Sequence, residues 1–168
     1  FRSSQSAESP DRQLAIVREI NGNSYLEFPV GNVIFKTSGW LSHPRFSPDG
    51  TKIAFIEHPF AYDDRGFVVL LHLESDCEPL SRVLTATSIS SLGLGWRDDE
   101  IWFTSAHSES TRSLRAVNAD GKERTVYSGP GSLTLLDVDR GGDVLIADNN
   151  SRVHTCVFKA SEGIERDL

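Results

Sequence analysis

The sequence lacks several features that would assign it to common functional classes. It has no methionine and only two cysteines, and its 17 basic residues against 24 acidic ones give a net charge of −7. This balance argues against a duplex-binding domain, which normally carries a basic face. No apolar run approaches the roughly 18 residues that suggest a transmembrane helix, and the first residues lack the charged-then-apolar pattern of a signal peptide. We therefore expect no nucleic-acid binding and no membrane insertion by this region.

The two cysteines, Cys77 and Cys156, are too few for a disulfide framework and do not have the spacing of a metal site. We favour two buried thiols, and leave open whether the two pair. The compartment also stays open: cytoplasmic, or extracytoplasmic if a membrane span precedes this region. Because the chain starts at Phe1 and has no methionine, we expect it to be a piece of a longer protein.

An internal repeat is the strongest signal that is present. Residues 46–56 read Phe-Ser-Pro-Asp-Gly-Thr-Lys-Ile-Ala-Phe-Ile, a tight turn followed by an apolar run of strand length. Weaker copies of the turn lie near residues 10, 98 and 140, so the spacings are 38, 50 and 42 residues. Their mean of about 43 residues is the period of a four-stranded propeller blade.

The second half of each repeat reads as a hairpin, most clearly where Asp120-Gly121 separates two strand-like runs. No 3.6-residue apolar stripe extends over three turns. The sequence therefore predicts an all-β fold, a β-propeller fragment of about four blades with one four-stranded antiparallel sheet per blade. We expect residues 1–8 to be disordered or a remnant outside the fold, and the blades to span about 9–45, 46–95, 96–137 and 138–168.

Several motifs occur in a fixed order along residues 24–150: Gly39-Trp40-Leu41-Ser42-His43-Pro44, the turn at 46–50, Asp63-Asp64-Arg65-Gly66, Gly93-Leu94-Gly95-Trp96 and Pro130-Gly131-Ser132. Together they resemble the repeats of TolB-type, WD-like β-propellers. More particularly, they resemble propeller regions that lie C-terminal to Ser/Thr protein kinase or DNA-binding regulator domains in acidobacteria and similar soil bacteria. The resemblance implies a sensing or scaffolding module of a signalling protein. The degenerate third and fourth turns depart from the pattern.

Catalytic motifs are missing from the sequence. There is no Gly-rich phosphate loop, no His-Arg-Asp and no Asp-Phe-Gly, so any kinase domain of the parent lies outside this chain. The Gly-x-Ser-x-Gly nucleophile motif of serine hydrolases is absent as well. We predict no catalytic residues, no cofactor and a non-enzymatic module. The alternatives are the gating propeller of a prolyl-oligopeptidase-type serine hydrolase and a TolB-like periplasmic interaction protein.

Two acidic segments invite a metal hypothesis, because hard cations bind several carboxylate and carbonyl oxygens of one loop. The first is Asp63-Asp64 near His58, and the second contains Asp137, Asp139 and Asp143. Aspartates next to glycine or arginine more commonly stabilise turns or form ion pairs. We therefore predict no metal site.

The candidate ligand site combines an aromatic ring, cations and carboxylates within two short segments, a mixture that orients small polar ligands. Its residues are Trp40, His43, Arg45, Asp63, Asp64 and Arg65. The competing interpretation is that Trp40 packs between blades and that His43 hydrogen-bonds a backbone group. The expected ligand is a protein partner or a small molecule at the channel mouth, around the turns. Because the strand before Ser9 is missing from the pattern, we also expect a larger ring or self-association through exposed blade faces.

Overall fold

The structure is a computed structural model that describes residues 6–73, 80–107, 111–139, 141–150, 156–159, 161 and 164–167. Every helix or strand in this part of the chain is a β-strand. The strands are β1 (Ser6–Glu8), β2 (Leu14–Ile20), β3 (Asn23–Glu27), β4 (Val33–Thr37), β5 (Trp40–Phe46), β6 (Lys52–His58), β7 (Phe67–His72), β8 (Leu80–Val83), β9 (Ser90–Arg97), β10 (Glu100–Ala106), β11 (Ser113–Val117), β12 (Glu123–Tyr127), β13 (Ser132–Val138), β14 (Val144–Asn149), β15 (Cys156–Lys159) and β16 (Ile164–Asp167). No helix in the described ranges is long and apolar enough to cross a membrane.

The strands form sequential antiparallel sheets. The first sheet is β1–β4, the second is β5–β8 and the third is β9–β12, each with its strands in chain order. The fourth unit contains the two hairpins β13–β14 and β15–β16. The first strand of each unit, here called its leading strand, contacts the leading strand of the next: β1 with β5, β5 with β9, and β9 with β13. The all-β, four-unit prediction is confirmed.

The unit boundaries differ from the expected ones. The sheets span about 6–37, 40–83, 90–127 and 132–167, because each predicted boundary fell on the turn that joins the leading strand to the second strand of the same sheet. Residues 6–8 also depart from the expectation for 1–8, since they form β1 and pair with Leu14–Ile16. Backbone pairing holds this short polar strand, and a search for apolar runs misses it. Residues 1–5 and Cys77 lie outside the described residues; Cys156 is exposed, contrary to the buried thiol expected there.

The core lies between neighbouring sheets, so the central strands are covered on both faces. Ile53, Ala54, Phe55 and Ile56 on β6 are all fully buried, as their continuous apolar run predicts. They alternate in direction: Ile53 and Phe55 pack against the first sheet, whereas Ala54 and Ile56 pack against the third. Each internal junction thus buries one alternate row of side chains from each partner.

A β-bulge interrupts three of the leading strands at the same place. It lies between Ser42 and Arg45 in β5, opposite Phe103/Thr104 at Gly93 in β9, and between Leu135 and Asp137 in β13. His43 and Gly93 both adopt positive φ there, 52° and 71°. A side chain at Gly93 would also collide with the carbonyl oxygen of Leu135, so the third and fourth units approach closely only because this residue is glycine.

Candidate functional site: the two ends of the leading strands

The turns that follow the four leading strands surround one open cavity of about 1150 Å³, which we call the hub cavity. Each unit contributes residues at or beside its turn. The lining residues are Glu8, Ser9, Pro10, Arg12, Arg45, Phe46, Ser47, Pro48, Gly95, Trp96, Arg97, Asp98, Asp137, Val138, Asp139, Gly141 and Gly142. Segments about 40 residues apart in sequence therefore meet at one place.

The same hydrogen bonds shape three of these turns. The Oγ atoms of Ser9 and Ser47 accept the backbone N–H groups of Gln13 and Lys52 at 2.9 and 3.0 Å. Asp139 replaces serine in the fourth unit, and its Oδ1 atom accepts the N–H of Asp143 at 2.8 Å. A short acceptor at this position closes the turn whether it is a hydroxyl or a carboxylate. The degenerate fourth turn therefore keeps the architecture.

Contacts between neighbouring units fix the rim of the hub cavity. The indole N–H of Trp96 donates to the carbonyl of Arg45 at 3.1 Å, which joins the leading strands of the second and third sheets. A Cβ atom at Gly50 would lie 3.1 Å from the Pro10 ring. These contacts hold the turns in a fixed relation, and a preformed rim reduces the ordering cost of binding.

Charges of both signs line the hub cavity. The cations are Arg12, Arg45 and Arg97; the acids are Glu8, Asp98, Asp137 and Asp139. Burial lowers the pKa of Arg45, and nearby Asp137 acts in the opposite direction. Arg45 also donates through Nη1 to the carbonyl of Pro44 at 2.9 Å, which holds its guanidinium at the wall. Such a lining suits a polar ligand that carries both charges.

The opposite end of the leading strands is built differently. β5 begins at Trp40 and ends at Phe46, about 20 Å away at the usual strand rise. Trp40 stacks on His58 with ring centroids 3.6 Å apart, and its indole N–H donates to the carbonyl of Asp63 at 3.1 Å. Asp63 pairs with Arg65 at 2.6 Å, and hydrogen bonds from Arg65 lower the pKa of Asp63 to about 2. These groups satisfy one another.

A chain of hydrogen bonds continues from this cluster into the junction between the second and third sheets. We call its members Ser42, His43 and His58, with the Gly93 N–H, the buried network. The Gly93 N–H donates to Nε2 of His43 at 3.2 Å, so the proton of neutral His43 lies on Nδ1 and is donated to Ser42 Oγ at 2.9 Å. Ser42 donates to Nε2 of His58 at 2.7 Å, and Nδ1 of His58 donates to the carbonyl of Arg65 at 3.0 Å.

Both imidazoles are neutral in this arrangement. Desolvation by burial is the main reason that the pKa values of His43 and His58 fall from 6.5 to about 4. Ser42 and His58 are fully buried. Although a serine and a histidine are in contact, the hydroxyl is not exposed to a substrate, so the buried network holds two sheets together.

The structure does not bring the six predicted site residues together. Only Arg45 lines the hub cavity. Trp40, Asp63 and Arg65 belong to the cluster at the other end, and His43 is buried in the junction. Asp64 lies near that end as well, where its carbonyl accepts the N–H of Ser91 at 2.8 Å. The aromatic, cationic and acidic mixture was real, but its members bind each other.

Sequence reasoning missed most of the hub cavity, including Glu8, Arg12 and Arg97, and treated Asp98 and Asp137 as parts of turns. The available signal was the position of the charges: Arg12, Arg45 and Arg97 all lie within three residues of an aligned turn. In the part of the chain that the structure describes, no group of three or more His, Cys, Asp or Glu side chains could hold a metal ion.

Comparisons with known proteins identify the fold. No family model matches the chain, and no curated protein matches it. Two solved structures are similar: TolB from Acinetobacter baumannii, with a TM-score of 0.57 and 14% identity over 84% of this chain, and a puromycin-hydrolyzing peptidase from Mycobacterium tuberculosis, with a TM-score of 0.66 and 15% identity over 99% of this chain. The chain spans 39% and 31% of the lengths of these proteins. At such identities the likeness shows the β-propeller fold alone.

Proposed function

We propose that the chain is a non-enzymatic interaction module that binds a polar segment of a protein partner in the hub cavity. The observation that carries the proposal is the convergence of four turns and three arginines on one open cavity. Rigid scaffolds commonly place binding residues on loops of this kind.

The size and lining of the hub cavity favour a polypeptide segment over a small molecule. Pockets for small ligands usually have volumes of about 300–1,000 Å³ and mainly apolar walls. The hub cavity is larger, at about 1150 Å³, and its walls are largely polar turn residues with three arginines and four acids. A segment with charged groups of both signs can pair with such walls, whereas an apolar ligand would leave the charges without solvent.

A random-peptide phage library tests this proposal directly. It is panned on the wild-type chain, and the selected peptides are measured by isothermal titration calorimetry on wild type and on an Arg45→Ala/Arg97→Ala variant. We expect the variant to lose at least about tenfold in affinity, which corresponds to the loss of one charged hydrogen bond or more.

The matched control is Arg65→Ala, which removes an arginine at the other end of the leading strands. It should bind the peptides as wild type does. Peptides that bind the cavity variant unchanged, or that are lost with Arg65→Ala, would place recognition elsewhere and overturn the proposal.

The resemblance to propellers of signalling proteins supports a finer proposal, that the module belongs to a bacterial protein with a Ser/Thr kinase or DNA-binding regulator domain. The similar peptidase structure favours a second candidate, the gating propeller of a serine hydrolase; a TolB-like periplasmic interaction protein is the third. The reading frame around this chain separates them. A kinase or regulator domain upstream supports the first, a hydrolase domain with Gly-x-Ser-x-Gly downstream the second, and a signal peptide upstream the third.

A further inference from the structure

The second strand of each unit sends alternate side chains to the preceding and the following unit. On β10, Ile101 and Phe103 pack toward the second sheet, whereas Trp102 packs toward the fourth unit. β6 follows the same rule, with Ile53 and Phe55 toward the first sheet and Ala54 and Ile56 toward the third. Each internal junction is therefore made of one odd row and one even row.

At the first sheet, only one of these rows is packed against another unit. On β2, Ala15 and Val17 pack toward the second sheet. The alternate row contains Leu14 and Ile16, and it corresponds to the β6 row that faces the preceding unit. Leu14 is 45% exposed and Ile16 is half-buried. We call this row the first face.

The fourth unit shows the complementary situation. On β14, Val144 and Ile146 pack toward the third sheet. The alternate row contains Leu145, which is 60% exposed, and Ala147, which is also exposed. This row corresponds to the one that faces the following unit at every internal junction. We call it the last face.

We propose that the last face of one copy of this chain binds the first face of a second copy, and that two such contacts close a ring of two copies. The two faces are the two halves of one repeated interface, and each carries the alternate row that the other half lacks. Both remain exposed within a single copy, so the described part of the chain does not pair them internally. This inference does not depend on the ligand of the hub cavity.

The count of sheets agrees with closure. Two copies of a four-unit chain give eight units, and propellers typically contain four to eight blades. A contact between unlike faces generates either a closed ring or an open filament. Two such contacts related by a twofold axis leave neither face exposed, whereas a filament leaves one at each end.

Light scattering coupled to size exclusion tests the proposal with paired variants. The wild-type chain should have twice the mass of one copy at micromolar concentration. Leu14→Arg and Leu145→Arg each place a charge in both contacts of their own dimer, so each should be a monomer, with dissociation at least about a hundredfold easier than for wild type.

Mixing the two variants is the decisive measurement. A mixed dimer pairs the intact last face of Leu14→Arg with the intact first face of Leu145→Arg, so one contact is restored and dimer should reappear. Leu80→Arg, at an exposed position of the second sheet that belongs to neither face, is the matched control and should remain a dimer.

Circular dichroism and thermal melting check that each variant is folded; if Leu145→Arg loses its cooperative melt, Ala147→Arg replaces it on the same row. A monomeric wild type, a polymer of many copies, dimerisation by either single variant alone, or a mixture that stays monomeric would each overturn the proposal.

Discussion

The two ends of the leading strands contain similar residue types and differ in what those residues contact. At one end Trp40, His58, Asp63 and Arg65 stack, pair and hydrogen-bond with each other. At the other end arginines and acids from four separate turns line an open cavity. The difference shows that composition locates polar clusters but does not say whether they are satisfied internally or face a partner.

The largest effect that separates the two ends is expected from Gly93→Ala, because Gly93 supplies the N–H at the end of the buried network. The new Cβ would collide with the Leu135 carbonyl at a positive φ, so we expect loss of soluble folded protein. Gly22→Ala is the control: its φ is also positive, 74°, but nothing lies within 4 Å, and it should cost only about 1 kcal/mol. Urea unfolding measures both, and equal losses would contradict the close-approach explanation.

The buried network should also make stability depend on pH. His43 and His58 have folded pKa values of about 4, below the unfolded value of 6.5. Between these values the unfolded chain binds protons that the native chain does not, so stability falls as pH decreases from 6.5 to 4. The loss is on the order of 3 kcal/mol for each histidine.

Chemical denaturation across this pH range measures the slope. His43→Gln should remove about half of it, because an amide can accept from Gly93 and donate to Ser42 without titrating. His107→Gln, at an exposed ring that contacts Glu123, is the control and should keep the slope. An unchanged slope in His43→Gln would rule out the assigned protonation states.

His58→Ala tests the internal satisfaction of the cluster at equal pH. It leaves the Ser42 hydroxyl and the Arg65 carbonyl without their partner and opens a space beneath Trp40, so we expect a loss of about 3 kcal/mol. Arg65→Ala, which breaks an exposed ion pair, should cost less than about 1 kcal/mol. Thermal unfolding compares the two; similar losses would mean that the stacked pair adds no stability of its own.

The smallest effect on stability is expected at the hub cavity. Arg45→Ala should change the unfolding free energy by about 1 kcal/mol or less, while it weakens binding of the selected peptides. A much larger loss of stability would assign Arg45 to the framework and place this end of the strands in the same class as the other.

The repeat and the strands were predictable because each depends on local chemistry. The turn at Pro48-Asp49-Gly50 and the hairpin at Asp120-Gly121 use residues that tolerate the required backbone angles, and Gly50 and Gly121 do adopt positive φ. Asn21 and Gly22 form a further hairpin turn with both φ values positive, a signal that we did not use. β1 was missed because its three residues are polar and only its pairing with β2 defines it.

The site was less predictable because it depends on which distant residues meet. Arg12, Arg45 and Arg97 are separated by 33 and 52 residues in the sequence, and only the circular arrangement of the units brings them to one cavity. His43 illustrates the opposite error. Its acceptor role toward Gly93 depends on the bulge in β5, which the sequence does not mark with a glycine.

The bulges in the leading strands have a consequence for how this chain could be rearranged. Repeat proteins are often described as arrays whose stability is a sum over similar units and similar interfaces, so that units can be exchanged or duplicated. Here one junction needs an imidazole on one side and a backbone N–H on the other, and the next needs a glycine facing a carbonyl. A second sheet moved behind the third would bring His43 to a place that accepts no side chain larger than hydrogen. The order of the units is therefore written into their junctions, and the chain behaves as a fixed series in which no two units are interchangeable.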